Sequence, residues 1–241
     1  MTTPALCDVS DADLDDLRAR LRHTRWPRPW PTEGWEAGTE PGILHRLADY
    51  WADGFDWRAQ EAALNALPSF VADVGGSALH YLRFDAEAPG GLPIVLTNGW
   101  PSTFFELVPL AERLSAPSRF GGRPEDSFTV IVPSIPGYTL SAQQPSLIDP
   151  VHTHELWHLL MHEHLGFERY AAHGGDLGAG ITSRLGSAHP EALAGIHLMA
   201  VAQPAAFDPA TVTADEQAYL DAMTGWSAAE ERTTTSSAPN R

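Results

Sequence analysis

Cysteine is almost missing from the 241-residue sequence: Cys7 stands alone. One thiol cannot close an internal disulfide, and the expectation is a reducing, cytoplasmic setting. Positive charge is scarce as well, with Lys+Arg 15 against Asp+Glu 31 and a formal net charge of −16. That balance repels nucleic-acid backbones and anionic membrane surfaces over a Debye length, so no nucleic-acid partner is expected. No apolar run approaches the roughly 18 residues of a membrane span. The stretch from Met1 to Asp13 lacks the basic and apolar blocks of a secretory signal. What is present suffices for a core, since 43% of the residues are hydrophobic, and wholesale disorder is excluded. At about 150 residues per domain, the length fits one compact unit with an extension, or part of a larger fold.

Helices come first along the chain. Ser10-Asp11-Ala12-Asp13 is a near capping box, followed by Leu14, Leu17 and Leu21 at helical spacing. Pro27, Pro29 and Pro31, interleaved with Trp26, Trp30 and Trp35, end that helix in a stiff aromatic connector. Two further helices are predicted over 41–51 and 57–67, the second stopped by Pro68. The pattern then changes to strands, with a hairpin over 70–74 and 78–84 around Gly75-Gly76. Short apolar runs at 93–97, 128–133, 170–172 and 196–200 alternate with helical stretches. Such alternation predicts an α/β fold, a mostly parallel sheet with helices on both faces. Residues 232–241, rich in Thr, Ser, Pro and Ala, read as a disordered tail.

The strongest chemical signal is Ala172-His173-Gly174-Gly175-Asp176-Leu177-Gly178-Ala179-Gly180, between a strand and the helical stretch 181–189. Small residues two before and two after a central residue, at a strand-to-helix turn, describe a nucleophile elbow. Gly174 and Gly178 would let the backbone turn while Asp176 stands at the sheet's carboxyl edge. A carboxylate there can attack an electrophilic carbon and form an ester, which water must later cleave. A glycine-rich turn with a solvated Asp is the plainer alternative. A second element is the strand 93–97 running into Asn98-Gly99-Trp100-Pro101, with Pro133-Ser134-Ile135-Pro136-Gly137-Tyr138 further on. A strand ending in a Gly/Pro turn places backbone N–H groups where a developing oxyanion can be stabilised. An ordinary strand-to-helix turn would have the same residues.

Taken together, residues 10 to about 231 resemble the microsomal-type epoxide hydrolases of the α/β-hydrolase superfamily, including their N-terminal helical extension. The resemblance is carried by Arg25-Trp26-Pro27, by Asn98-Gly99-Trp100-Pro101, by the Pro133–Tyr138 motif and by Gly174-Gly175-Asp176-Leu177-Gly178-Ala179. It implies an N-terminal region over 1–85 and an α/β-hydrolase core over 86–231, incomplete at its C-terminal side. It also implies that Asp176 is the nucleophile that opens a small apolar epoxide toward a diol, with no cofactor. The main-chain N–H groups of Trp100 and Leu177 would form the oxyanion hole. Two departures stand out: Asn98 occupies a position that is more often His, and Leu177 one that is more often Trp. The second weighs against a haloalkane dehalogenase, whose relatives use that Trp to hold halide.

The same resemblance calls for a late His with a supporting acid, and for two lid tyrosines near or beyond residue 231. The last His is His197, within the final predicted strand, and Tyr219 reads as a packing residue ahead of the lid motif. The expectation is a truncated homologue in which full turnover fails, or one without catalysis. A covalent adduct on Asp176 would separate those two.

His154-Glu155-Leu156-Trp157-His158 is a literal H-E-x-x-H, which on a helix sets two imidazoles on one face with a carboxylate to activate zinc-bound water. The longer pattern fails at Met161, where glycine should break the helix before His164. A His-rich, solvated helix face packed by Leu156, Leu159, Leu160 and Leu165 is the favoured reading.

Overall fold

Each early helix starts where a side chain can take up its free N–H groups. The computed structural model describes residues 3–4, 7–28, 31, 34–35, 38–142, 151–199 and 211–235. Helix α1, Asp11–Arg22, begins at Ser10, whose hydroxyl accepts the Asp13 N–H at 3.1 Å. Helix α2, Pro41–Asp49, is capped by the Glu40 carboxylate on the N–H groups of Gly42 and Ile43 and passes into a π turn, Tyr50–Gly54. Helix α3, Trp57–Asn65, is capped by Asp56. The chain ahead of α1 is tied to α3. Val9 N–H donates to Glu61 at 2.8 Å, and the Asn65 side-chain amide pairs with both the N–H and the C=O of Cys7. Of the aromatic connector, Trp26 stacks on His45 with ring centroids 4.0 Å apart. Pro29 and Trp30 lie outside the described residues.

The sheet has the order β1-β2-β3-β5-β4-β6-β7. Strands β1 (Thr3–Pro4), β2 (Ser69–Val74) and β3 (Ser77–Phe84) are antiparallel, and β3 also meets β5 (Phe128–Pro133) in that sense. Beyond it, β5, β4 (Leu92–Thr97), β6 (Tyr170–Gly175) and β7 (Leu193–Met199) run parallel. The sheet is therefore mixed, and its parallel half carries the expected alternation with helices. Gly75 and Gly76 link β2 to β3 at φ 58° and 76°. Two left-handed residues in a two-residue loop are what a right-twisted hairpin demands, and glycine meets that need without a Cβ clash.

Both faces of the sheet are covered. On one, α5 (Thr153–His158) with its π continuation Leu159–His164, and α6 (Leu177–Ala188), bury Leu156, Trp157, Leu160 and Leu185 against Val95, Ile131 and Tyr170. On the other, α4 (Val108–Ser115) and the 3-10 turn Phe104–Leu107 pack on Leu82, Leu96, Val130 and Val132. Each such apolar side chain, fully buried, stabilises the fold by about 1.5–3 kcal/mol.

Residues 1–200 form one compact unit and 201–241 another. The expected boundary at 85/86 falls inside the first, just after β3. The second contains α7, Ala214–Thr235. The expected tail begins within that helix, because Ala228, Ala229, Glu230 and Glu231 are strong helix formers and carry it past Arg232; residues 236–241 lie outside the described residues. Tyr219, expected to pack, is 56% exposed. On a helix with so little separation of apolar and polar faces, nothing directs it inward. Among the described residues no helix is long and apolar enough to cross a membrane.

Candidate active site

Strand β4 leads into α4 and then β5 on one side of it, whereas β6 pairs with β4 on the other side. Chain connections thus leave β4 and β6 in opposite directions, and the crevice at their carboxyl ends is where open α/β sheets place ligands. Thr97 is in register with Gly174, so the turn after β4 lies beside the turn after β6.

At the end of β6 the chain reverses through Asp176, with φ 52° and ψ −119°, and α6 starts at Leu177. A non-glycine residue held there is strained, a conformation that is commonest at functional sites. The flanking glycines serve close approach rather than a special backbone angle, since neither has positive φ. A Cβ on Gly174 would sit 2.0 Å from the carbonyl oxygen of Gly178, and one on Gly178 would sit 2.3 Å from that of Thr97. Gly99 is constrained in the same way, with its Cβ position 2.7 Å from Asp176 Cβ.

These contacts set the carboxylate on backbone donors. Trp100 N–H donates to Asp176 Oδ1 at 2.9 Å. The N–H of Trp100 first, and then that of Leu177, hold the Asp176 carboxyl below its ordinary range. The Trp100 side chain is 69% exposed and its bond to Pro101 is cis. Asn98 is 2% exposed and bridges the turn, its Nδ2 donating to the carbonyls of Gly99 and Ser102 at 2.9 and 3.1 Å. Its Oδ1 has no partner among the described residues. Thr97 Oγ1 accepts the indole N–H of Trp157 at 2.9 Å. A cleft of about 320 Å³ opens beside the elbow, lined by Ile135, His152, His154, Leu177 and Arg184.

The structure thus brings Asp176, Leu177, Gly174 and Gly178 together with Asn98, Gly99, Trp100 and Pro101. An exposed carboxylate held by backbone N–H groups can act as a nucleophile. Sequence reasoning missed the pairing of His173 with His197, whose Nδ1 atoms lie 2.8 Å apart on β6 and β7. Burial, and then the neighbouring His197, lower the basicity of His173. Only the register of those two strands could have revealed the pair.

The side chains of the H-E-x-x-H segment are otherwise engaged, which leaves the alternative of a metal pair without support. Glu155 accepts from His189 Nε2 at 2.9 Å and lies 3.1 Å from His154 Nε2. The His158 ring stacks on His189 at 3.7 Å, and its Nδ1 is 3.1 Å from the Tyr170 hydroxyl. His154 and His158 therefore turn to different partners. Among the described residues no group of three or more His, Cys, Asp or Glu side chains is placed to hold a metal ion.

Two family models match the chain. The family model described as "Epoxide hydrolase N terminus" matches residues 2–107, and that described as "alpha/beta hydrolase fold" matches residues 93–237. A putative epoxide hydrolase of Stigmatella aurantiaca is 38% identical over 197 residues, covering 81% of this chain and 44% of that protein. Epoxide hydrolase 1 of Oryctolagus cuniculus is 31% identical over 200 residues, with the same two shares, 81% and 44%. The chain thus spans less than half the length of these relatives. The structure of Aspergillus niger epoxide hydrolase superposes with a TM-score of 0.74 at 28% identity, over 90% of this chain and 57% of that one. The juvenile hormone epoxide hydrolase of Bombyx mori gives a TM-score of 0.68 at 25% identity, over 82% and 52%. Over residues 93–237, which hold the strands that frame Asp176, the chain belongs to the alpha/beta hydrolase fold family, and its N-terminal region is similar to the N terminus of epoxide hydrolases.

Proposed function

We propose that this chain carries the alkylation half of an epoxide hydrolase, with Asp176 as nucleophile and a small apolar epoxide as substrate. The observation that carries the reading is the Asp176 carboxylate, set at φ 52° with Oδ1 on the Trp100 N–H at 2.9 Å. Oδ2 attacks an epoxide carbon, the C–O bond of the ring breaks, and the departing alkoxide takes a proton from solvent or a donor acid. The product is a hydroxyalkyl ester of Asp176. Its carbonyl oxygen stays on the N–H groups of Trp100 and Leu177, which then stabilise the oxyanion formed when water attacks the ester carbon.

That second step needs a base to activate water. His197 lies with its Nδ1 2.8 Å from that of His173. The 241-residue chain is expected to accumulate the ester. Intact-mass spectrometry after incubation with styrene oxide, followed by peptide mapping, tests this. A stable increase of one epoxide mass on the Asp176 peptide supports the reading, and a folded, unmodified protein overturns it.

A further inference from the structure

A cavity of about 650 Å³ lies between the N-terminal helices and the sheet, and neither Asp176, Trp100 nor Leu177 lines it. Its walls are formed by Phe55, Trp57 and Leu64 on one side and by Leu82, Phe104 and Leu140 on the other. Size and apolar character both suit a small organic molecule. The side-chain amide of Asn65, also in the wall, is spent on the Cys7 backbone.

Two residues of this wall, Ser69 and Thr139, carry the hydroxyls that end one hydrogen-bonded chain. Ser69 Oγ is 2.8 Å from His80 Nε2, and His80 Nδ1 is 2.7 Å from Ser134 Oγ. Ser134 Oγ is in turn 3.0 Å from Thr139 Oγ1. His80 is fully buried, and desolvation pulls its pKa down to about 4, so the ring is neutral near pH 7. A neutral imidazole donates from one nitrogen and accepts at the other. The chain can run in either direction. In each, one terminal hydroxyl keeps a spare O–H while the other presents only lone pairs. A ligand hydroxyl, at once donor and acceptor, matches both states.

Thr139 supplies an independent sign. It is β-branched and sits at φ 45°, a conformation natural to glycine and costly for threonine. What glycine would lack at that position is the hydroxyl that completes the chain.

We propose that this cavity binds a small apolar alcohol, with its hydroxyl on the Ser69–His80–Ser134–Thr139 chain and its carbon skeleton against Phe55, Trp57, Leu64 and Phe104. The site does not depend on ester chemistry at Asp176, so either proposal can fail alone. The test uses the full chain, 4-(trifluoromethyl)benzyl alcohol and its hydroxyl-free analogue 4-methylbenzotrifluoride, each titrated by fluorine NMR. Saturable binding at one site is expected, about tenfold tighter for the alcohol. Thr139→Gly relieves the strained φ and removes the hydroxyl. It should keep or raise the melting temperature while cutting the alcohol's advantage to about twofold. Leu64→Trp fills the cavity and should abolish binding of both probes, with circular dichroism confirming the fold. Absence of saturation in the folded wild type, equal affinity for the two probes, or binding that survives Leu64→Trp would each overturn the proposal.

Discussion

Asp176 combines an exposed carboxylate with two backbone donors, and those contacts set its ionisation. Because the N–H groups of Trp100 and Leu177 lower its pKa, the carboxylate persists to below the usual carboxyl range. Alkylation by an epoxide should therefore proceed at a constant rate from about pH 8 to about pH 5, declining only as the carboxylate protonates below about pH 3.9. A rate that falls with a midpoint near neutrality would point to a histidine instead. Asp176→Ala should show no mass increase at all. Trp100→Ala, by contrast, keeps the main-chain donor and loses a side chain that is already 69% exposed. It should alkylate at close to the wild-type rate, a comparison that separates backbone from side-chain contributions by mass spectrometry alone.

At the scale of elements, the elbow depends on how closely α6 approaches the end of β4. Gly178→Ala would push a methyl group to 2.3 Å from the Thr97 carbonyl oxygen, so β4 and α6 must separate. A loss of about 3 kcal/mol in urea unfolding is expected, together with loss of the Asp176 adduct. The hydroxyl–imidazole chain makes a second, independent demand, because His80 ties β2 and β3 to the loop after β5. Its folded pKa lies below that of an unfolded histidine, so the unfolded chain binds more protons between about pH 6.5 and 4. The associated stability is fully present above about pH 6.5 and is lost as pH falls toward 4, by about 3 kcal/mol. His80→Gln should flatten that part of the urea-midpoint profile; an unchanged slope would show that another group is responsible.

These two features differ in how far they can be read from the amino-acid order. Gly174, Asp176 and Gly178 declare the elbow, because their small size and spacing are themselves the steric requirement. The partners of His80, 11 and 54 residues away, leave no periodic trace, and only the assembled sheet brings them together. For the same reason the run 153–164 looks like one straight helix, whereas the chain loosens into a π segment at Leu159–His164. Hairpin, strands and capped helices were legible because each is specified within a few residues.

For the molecule as a whole, the net charge of −16 opposes self-association, while the edge of the sheet invites it. Among the described residues β7 has a strand on one side only, and it exposes Ile196 at 44% and Met199 at 59%. Unpaired backbone beside apolar side chains is a template for pairing with another copy. Salt screens the repulsion, with a Debye length of about 10 Å at 0.1 M and 3 Å at 1 M. The weight-average mass from light scattering should therefore rise with ionic strength, and Ile196→Lys should suppress the rise. A mass that stays constant with salt would show that the edge is already protected.

One hydrogen bond described above, from Trp100 to Asp176, joins residues 76 positions apart. Its closure requires β4 and β6 to have paired, so the proposed reactivity of the carboxylate is acquired late and as a property of the assembled sheet. Brief pulses of epoxide during refolding would then mark only the molecules in which that pair has formed, and the fraction labelled against time would report the order of assembly.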